Sequence, residues 1–285
     1  MKKIVPESID FIVTDKCNLH CYVCWGSEMP DYEDLSLEER KRMIDVFAAK
    51  GAKKNVFTGG EPTLDEMLPE LMKHSKKEGM QTLLFTNCTT MNKRYADKIM
   101  PYVDSISMSL DGSNEEFNSF PRRAGHFKKV MNTLKLLTNY DTNVQVLTVV
   151  THKNRFDLRD IGNLLLRKTE GLDFQWKLNY YSRIGRSAKK YFLAGDPFFI
   201  KYEGFLEAVG ATRKYFEGKL NIRYSLRQHD YGYLFIFPDG NLYTTKGAKY
   251  ISLGNAFDEK SWKKSTIRRI ADNIYERAQI VGDKK

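Results

Sequence analysis

Three of the four cysteines fall within eight residues, in Cys17-Asn18-Leu19-His20-Cys21-Tyr22-Val23-Cys24. Three thiolates at this spacing can serve one centre. A closed structural zinc site takes four protein ligands, and three leave one position open. A three-cysteine loop can equally hold an iron–sulfur cubane, with three irons on thiolates and the fourth exposed. His20 is available as a fourth ligand, and soft thiolates suit either centre. The donor set alone leaves both open. Cys88, in Phe85-Thr86-Asn87-Cys88-Thr89, has no cysteine neighbour and reads as a small buried residue near a strand end.

Two further motifs follow in order, Thr58-Gly59-Gly60-Glu61-Pro62 and Ser107-Met108-Ser109-Leu110-Asp111-Gly112. The cysteine spacing resembles the CxxxCxxC motif of the radical S-adenosylmethionine (radical SAM) superfamily. The glycine run looks like that superfamily's GGEP element, and the serine-rich run resembles its later strand-end signature. The resemblance implies that Cys17, Cys21 and Cys24 hold a [4Fe–4S] cluster whose open iron takes SAM. Gly59 and Gly60 would then let the backbone approach the methionine amino group, and Glu61 would accept a charge-assisted hydrogen bond. Asn87, Ser109 and Asp111 correspond to positions that face the SAM ribose or carboxylate. Val23 stands where the family usually has an aromatic residue beside adenine, so packing or backbone contacts would serve there. The competing reading of these short polar residues is local turn capping.

The resemblance further implies reductive cleavage of SAM by an external electron donor such as flavodoxin or ferredoxin, and hydrogen abstraction from a substrate. Substrate candidates are Gln175, Lys177, Asn179 and Tyr181, which alternate along one strand and so can share a face. The opposite assignment puts Trp176, Leu178 and Tyr180 inward. Arg183 and Arg186 flank the next turn and suit phosphate or carboxylate. Lys177, Tyr181, His229 and Tyr231 are the candidates for catalysis. Two substrate classes stay open. Size, a single cluster and the Trp176-Lys177 strand resemble the viperin-like nucleotide-dehydrating enzymes, while Ser-Leu-Asp-Gly and Pro-Asp-Gly look more like peptide or natural-product modifiers. The basic group favours a small anionic substrate, a nucleotide or nucleotide sugar; a peptide substrate is the alternative. A non-catalytic iron–sulfur binding or electron-transfer protein is a third reading.

Positioning these groups calls for alternating strands and helices. Ile9 to Val13 reads as a strand. Ser36 and Glu39 form a capping box for a helix with Leu37, Met43, Ile44, Phe47 and Ala48 on its apolar face. Strands are expected at Asn55–Thr58, Met80–Thr86, Ser105–Leu110, Val144–Val150 and Leu172–Tyr180. Helices are expected from Asp65, up to Ile99–Tyr102, through Phe127–Leu137 and through Leu158–Leu166. This is an α/β succession; the resemblance implies a partial (β/α)6, TIM-like barrel over 1–190. Beyond it, a helix over Pro197–Gly218, an extended Ile222–Leu226, a hairpin over Tyr233–Tyr243 with a Pro-Asp-Gly turn and a terminal helix make a small α+β C-terminal extension, 191–285, capping the substrate. No cysteine follows Cys88, so an auxiliary cluster is not expected.

The chain has 285 residues, 41% hydrophobic and 29% charged, with a formal charge of +10. This suits a globular protein with a sizeable core and anionic partners. No apolar run reaches the roughly 20 residues of a membrane span, and the N-terminus does not read as a secretory signal. Clustered, unpaired cysteines point to a reducing, cytoplasmic setting. Residues 260–285 carry eight basic side chains against three acidic ones. Without a recognised module this reads as a solvated helix face rather than a nucleic-acid surface.

Overall fold

The computed structural model describes residues 6–24, 26, 31–183, 195–226, 232–246, 249–263 and 265–271. The chain alternates strand and helix: β1 (Ser8–Thr14), α1 (Leu37–Ala49), β2 (Lys54–Gly59), α2 (Leu68–Lys77), β3 (Gln81–Thr86), α3 (Lys93–Ile99) and β4 (Ser105–Ser109). Two helices, α4 (Glu115–Ser119) and α5 (His126–Leu137), then precede β5 (Asn143–Val150), α6 (Leu158–Lys168) and β6 (Phe174–Tyr180). The remainder is α7 (Tyr202–Tyr215), β7 (Ile222–Ser225), β8 (Phe235–Ile236), β9 (Asn241–Lys246), β10 (Lys249–Asn255) and α8 (Glu259–Trp262). The architecture is mixed α/β with a parallel sheet, as the alternation of periods implies.

The chain divides into two compact units, one from residues 1–16, 29–84 and 228–285, the other from 17–28 and 85–227. In the first, the strand order is β10-β9-β8-β1-β2-β3. β1 runs parallel to β2 on one side and to β8 on the other, while β8, β9 and β10 pair antiparallel. Its core is built on Phe11, whose ring lies 6.4 Å from Phe47 and 6.0 Å from Phe57, with Trp262 6.1 Å beyond Phe47. Ser36 and Glu39 do form the capping box of α1. The apolar face of α1 also holds Arg40, only 1% exposed. Its guanidinium donates to Val13 O, Leu35 O, Asp34 and Asp65, the pairing that a buried cation requires.

That ion pair explains a displaced helix start. Asp65 receives Arg40 on one oxygen and the Met67 N–H on the other, so the chain turns there and α2 begins at Leu68. Leu68, Leu71 and Met72 are fully buried along α2, as their spacing predicts.

In the second unit β4-β5-β6-β7 are parallel, with Trp176 paired to Val146 and to Ile222. Trp176 and Leu178 are fully buried; the Trp176 ring meets Phe216, which follows α7, and its Nε1 donates to Thr148 Oγ1 at 2.9 Å. α7 is shorter than the expected Pro197–Gly218 helix. Asp196 caps the Phe198 N–H, and Phe198 O accepts from His152 N–H, which ties residues 196–200 to the loop after β5 instead. Two elements had no strong periodic signal, α4 and the edge strand β10, whose Ser252 and Gly254 interrupt the alternation. β7 continues the parallel sheet of the second unit, and β8 pairs parallel with β1 in the first.

Candidate functional site: a cysteine loop and a glycine turn

In the first unit the Gly59-Gly60-Glu61 turn leaves β2 and folds against the exit of β1. Gly60 N–H donates to Thr14 O at 2.7 Å and Glu61 N–H to Lys16 O at 2.8 Å. Gly59 has φ +144°, and a Cβ there would stand 2.2 Å from Thr14 O; a Cβ on Gly60 would stand 2.2 Å from Lys16 O and 2.5 Å from Asp15 O. Both positions therefore require glycine because backbone meets backbone. The Glu61 carboxylate is 1% exposed and accepts from the Thr63 hydroxyl and N–H, capping the short turn Pro62–Leu64. The strand exit is also held by Tyr32, whose hydroxyl donates to Asp15 Oδ1 at 2.9 Å. Burial, and then that hydrogen bond, pushes the Tyr32 phenol up to about 12.

In the second unit Cys17, Cys21 and Cys24 are half-buried on one loop, and Cys88 is fully buried with φ +66°. Among the described residues, two of the three loop sulfurs accept hydrogen bonds. Cys17 Sγ faces Leu19 N–H at 3.4 Å and Asn87 Nδ2 at 3.9 Å; Cys21 Sγ faces Arg122 Nη1 at 3.8 Å. Burial pushes the Cys21 thiol up, and the Arg122 guanidinium pulls it back. Asn87 is a node of the loop, donating to Asn18 Oδ1 and accepting from Thr89. Val23 is 5% exposed.

Asp111, at the end of the Ser-Leu-Asp-Gly run, is fully buried with both carboxylate oxygens engaged: Oδ1 accepts from Val149 N–H and Oδ2 from Arg122 Nε. Asp111 N–H donates to Asn118 Oδ1, and Asn118 Nδ2 donates to His126 Nδ1. Burial, then the charge of Arg122, lowers His126 to about 3, so its ring is neutral. Arg122, Asn118 and His126 are the residues that sequence reasoning missed here. α4 brings Asn118 to Asp111, and no spacing in the sequence announces that.

The sheet of the second unit has two unlike faces. Register and alternation put Ser107, Ser109, Gln145, Leu147, Val149, Gln175, Lys177 and Asn179 on the side opposite Trp176 and Leu178. A polar ladder crosses this face, from Ser107 Oγ to Gln145 Oε1 at 3.2 Å and from Gln145 Nε2 to Gln175 Oε1 at 2.9 Å. Of the two orientations the sequence allowed, Gln175, Lys177 and Asn179 thus share a face away from the helix-packed tryptophan. Asn179 and Tyr181 are each 2% exposed. Arg183 donates from Nε to Asp196 Oδ2 at 3.0 Å and lies 4.4 Å from the Phe199 ring. Arg186, His229 and Tyr231 lie outside the described residues. A cavity of about 210 Å³ is lined by Phe117, Phe120, Pro121, Lys153 and Phe198, among others, and Phe198 stacks on Tyr22 of the cysteine loop.

The model of the radical SAM superfamily matches residues 11–165, more than half of the chain. The chain belongs to the radical SAM superfamily. It is 31% identical over 157 residues to Fe-coproporphyrin III synthase of Methanosarcina barkeri, an alignment covering 54% of this chain and 39% of that enzyme. It is 28% identical over 172 residues to the S-adenosylmethionine-dependent nucleotide dehydratase of Flammeovirga pacifica, covering 56% and 59%. The chain thus spans about two-fifths to three-fifths of these relatives. Its fold is similar to that of Streptococcus suis SuiB bound to precursor peptide SuiA, with a TM-score of 0.72 over 95% of this chain and 66% of that one; at 14% identity this is a likeness of fold.

Radical SAM proteins use a [4Fe–4S] cluster and SAM, and their curated relatives are enzymes. The residues here fit the cluster. Hydrogen bonds from an amide, a carboxamide and a guanidinium suit anionic sulfur. Among the described residues, the His, Cys, Asp and Glu groups whose ligand atoms gather within 4.8 Å of one another are Asp45, His74 and Glu78; the cysteine trio is spread more widely. No helix among the described residues is long and apolar enough to cross a membrane.

Proposed function

We propose that this chain is a single-cluster radical SAM enzyme that abstracts hydrogen from a small, polar, anionic substrate such as a nucleotide or nucleotide sugar. Cys17, Cys21 and Cys24 would hold the cluster; Gly59, Gly60, Glu61, Val23, Asn87, Ser109 and Asp111 would serve SAM. When bound, the two cofactors supply reductive cleavage of the sulfonium and a 5'-deoxyadenosyl radical, with the electron from a donor such as flavodoxin or ferredoxin. The chain's own work is to orient a C–H bond and exclude water. In this reading residues 1–190 are the catalytic core and 191–285 the substrate cap, with the protein in the cytoplasm.

The observation that carries the substrate class is the polar face of β4 to β6. A row of Ser107, Gln145 and Gln175 beside Lys177 offers donors and acceptors to a hydroxylated, charged molecule. Gln175, Lys177, Asn179, Arg183 and Arg186 are the proposed substrate contacts, and Lys177, Tyr181, His229 and Tyr231 the proposed catalytic groups.

A second reading, a peptide substrate, draws support from two observations. Asp196 already pairs with Arg183, which removes one cation from the anion-binding set. The cavity walled by Phe117, Phe120 and Phe198 suits an apolar side chain. Anaerobic reconstitution with iron and sulfide, then reduction with SAM, tests the enzyme reading: 5'-deoxyadenosine is expected, and a fully loaded protein that makes none is a binding or electron-transfer protein. Screening deuterated nucleotides, nucleotide sugars and peptides for label transfer into 5'-deoxyadenosine decides the substrate class. Transfer from a peptide and from no anionic small molecule reverses the order of the two readings.

A further inference from the structure

The segment Pro121-Arg122-Arg123 holds the cysteine loop at three points. Pro121 O accepts from Tyr22 N–H at 2.9 Å, Arg123 Nη1 donates to Asn18 O at 3.4 Å, and Arg122 Nη1 faces Cys21 Sγ at 3.8 Å. Arg122 is the member of this clamp that faces a sulfur. Its side chain is 12% exposed, and its Nε donates to Asp111 Oδ2 at 2.5 Å. Asp111 is itself fixed by Val149 N–H at 2.7 Å and, through its own N–H, by Asn118 at 2.9 Å. The guanidinium is planar, so gripping a carboxylate with Nε aims Nη1 in one direction. That direction is the Cys21 sulfur.

We propose that Arg122 is a positioning residue for the Cys21 thiolate, and that its guanidinium raises the reduction potential of the cluster the three cysteines would hold. A cation donating to a ligand sulfur stabilises the reduced, more negative cluster over the oxidised one. Net charge and hydrogen bonds to sulfur are among the factors that set such potentials. The Asp111 carboxylate lies on the far side of the fork, so the ion pair presents its positive end to the sulfur. This rests on the reading of Cys17, Cys21 and Cys24 as cluster ligands.

The test is a reductive titration with titanium(III) citrate, one electron per cluster, on reconstituted protein without SAM, followed by electron paramagnetic resonance. Wild type that holds no cubane defeats the ligand reading itself. With wild type loaded, R122Q is expected to shift the reduction equilibrium at least tenfold toward the oxidised form, about 59 mV for one electron. R122K, which keeps the charge and loses the fork, is expected between the two. An R122Q protein with full iron content and wild-type potential overturns the proposal. So does one that keeps the potential and loses only the spectral change on adding SAM, which would put the guanidinium on SAM rather than on sulfur. Because R122Q leaves the buried Asp111 carboxylate without its cation and can unfold the segment, unaltered protein carrying 15N-guanidino arginine supplies a second readout. Pulsed paramagnetic resonance of its reduced cluster is expected to show a 15N coupling, and its absence overturns the proposal.

Discussion

At the residue scale, His126 shows how a buried base can act without titrating. Its Nδ1 accepts from Asn118, which in turn accepts from Asp111 N–H, so a neutral ring completes the chain of hydrogen bonds beside Arg122. With its pKa near 3, against 6.5 when unfolded, the native protein refuses a proton that the unfolded chain accepts. The contribution is complete above about pH 6.5 and is lost as pH falls toward 3, at about 1.4 kcal/mol per pH unit. Denaturant titrations of wild type and H126Q should therefore show the wild-type advantage at pH 7.5 shrinking by pH 5. A difference that does not change with pH would mean that His126 takes up its proton in the fold as readily as in the unfolded chain. Asp111, proposed to serve SAM, already accepts from Val149 N–H and Arg122 on its two oxygens, so a direct contact with SAM would use their remaining lone pairs.

At the element scale, the glycine turn and the β1 exit act as one piece. The exit leads straight into Cys17, so whatever moves Thr14, Asp15 and Lys16 moves the first cysteine of the trio. G60A forces a methyl group to within 2.2 Å of Lys16 O, and the backbone must shift. Its expected outcome is a loss of about 1–3 kcal/mol, the range of a tight overpacking, read by denaturant unfolding, together with reduced iron per chain after reconstitution. G51A is the control: Gly51 has a positive φ, 92°, and nothing lies within 4 Å of its Cβ position, so the protein should lose stability through backbone strain alone and keep its iron. Normal iron loading in G60A would mean that the turn does not set the loop.

At the scale of the whole molecule, the C-terminal residues complete the sheet of the first unit. β8 pairs parallel with β1, and Trp262 packs on Phe47. Ending the chain after residue 226 removes both and uncovers the edge of β1, which is an aggregation hazard. Such a fragment should be insoluble or melt well below the full chain in a thermal scan, whereas a detachable cap would leave the melting temperature in place. The cysteine trio, the glycine turn and the strand and helix alternation up to β6 were legible in the chain, because each is local: ligand spacing, positive φ and the 3.6 and 2.0 periods are written within a few residues. Arg40 on an apolar helix face, Arg122 at Cys21 and β8 beside β1 were not, since each depends on a partner tens to hundreds of residues away. The sequence by itself determined which residues can hold a cluster and which segments are strand or helix. Only the tertiary structure decided where the buried guanidinium groups point, which face of β6 is polar and which strand closes the edge of β1, because burying a charge or a sheet edge is favourable only where folding brings its partner into contact.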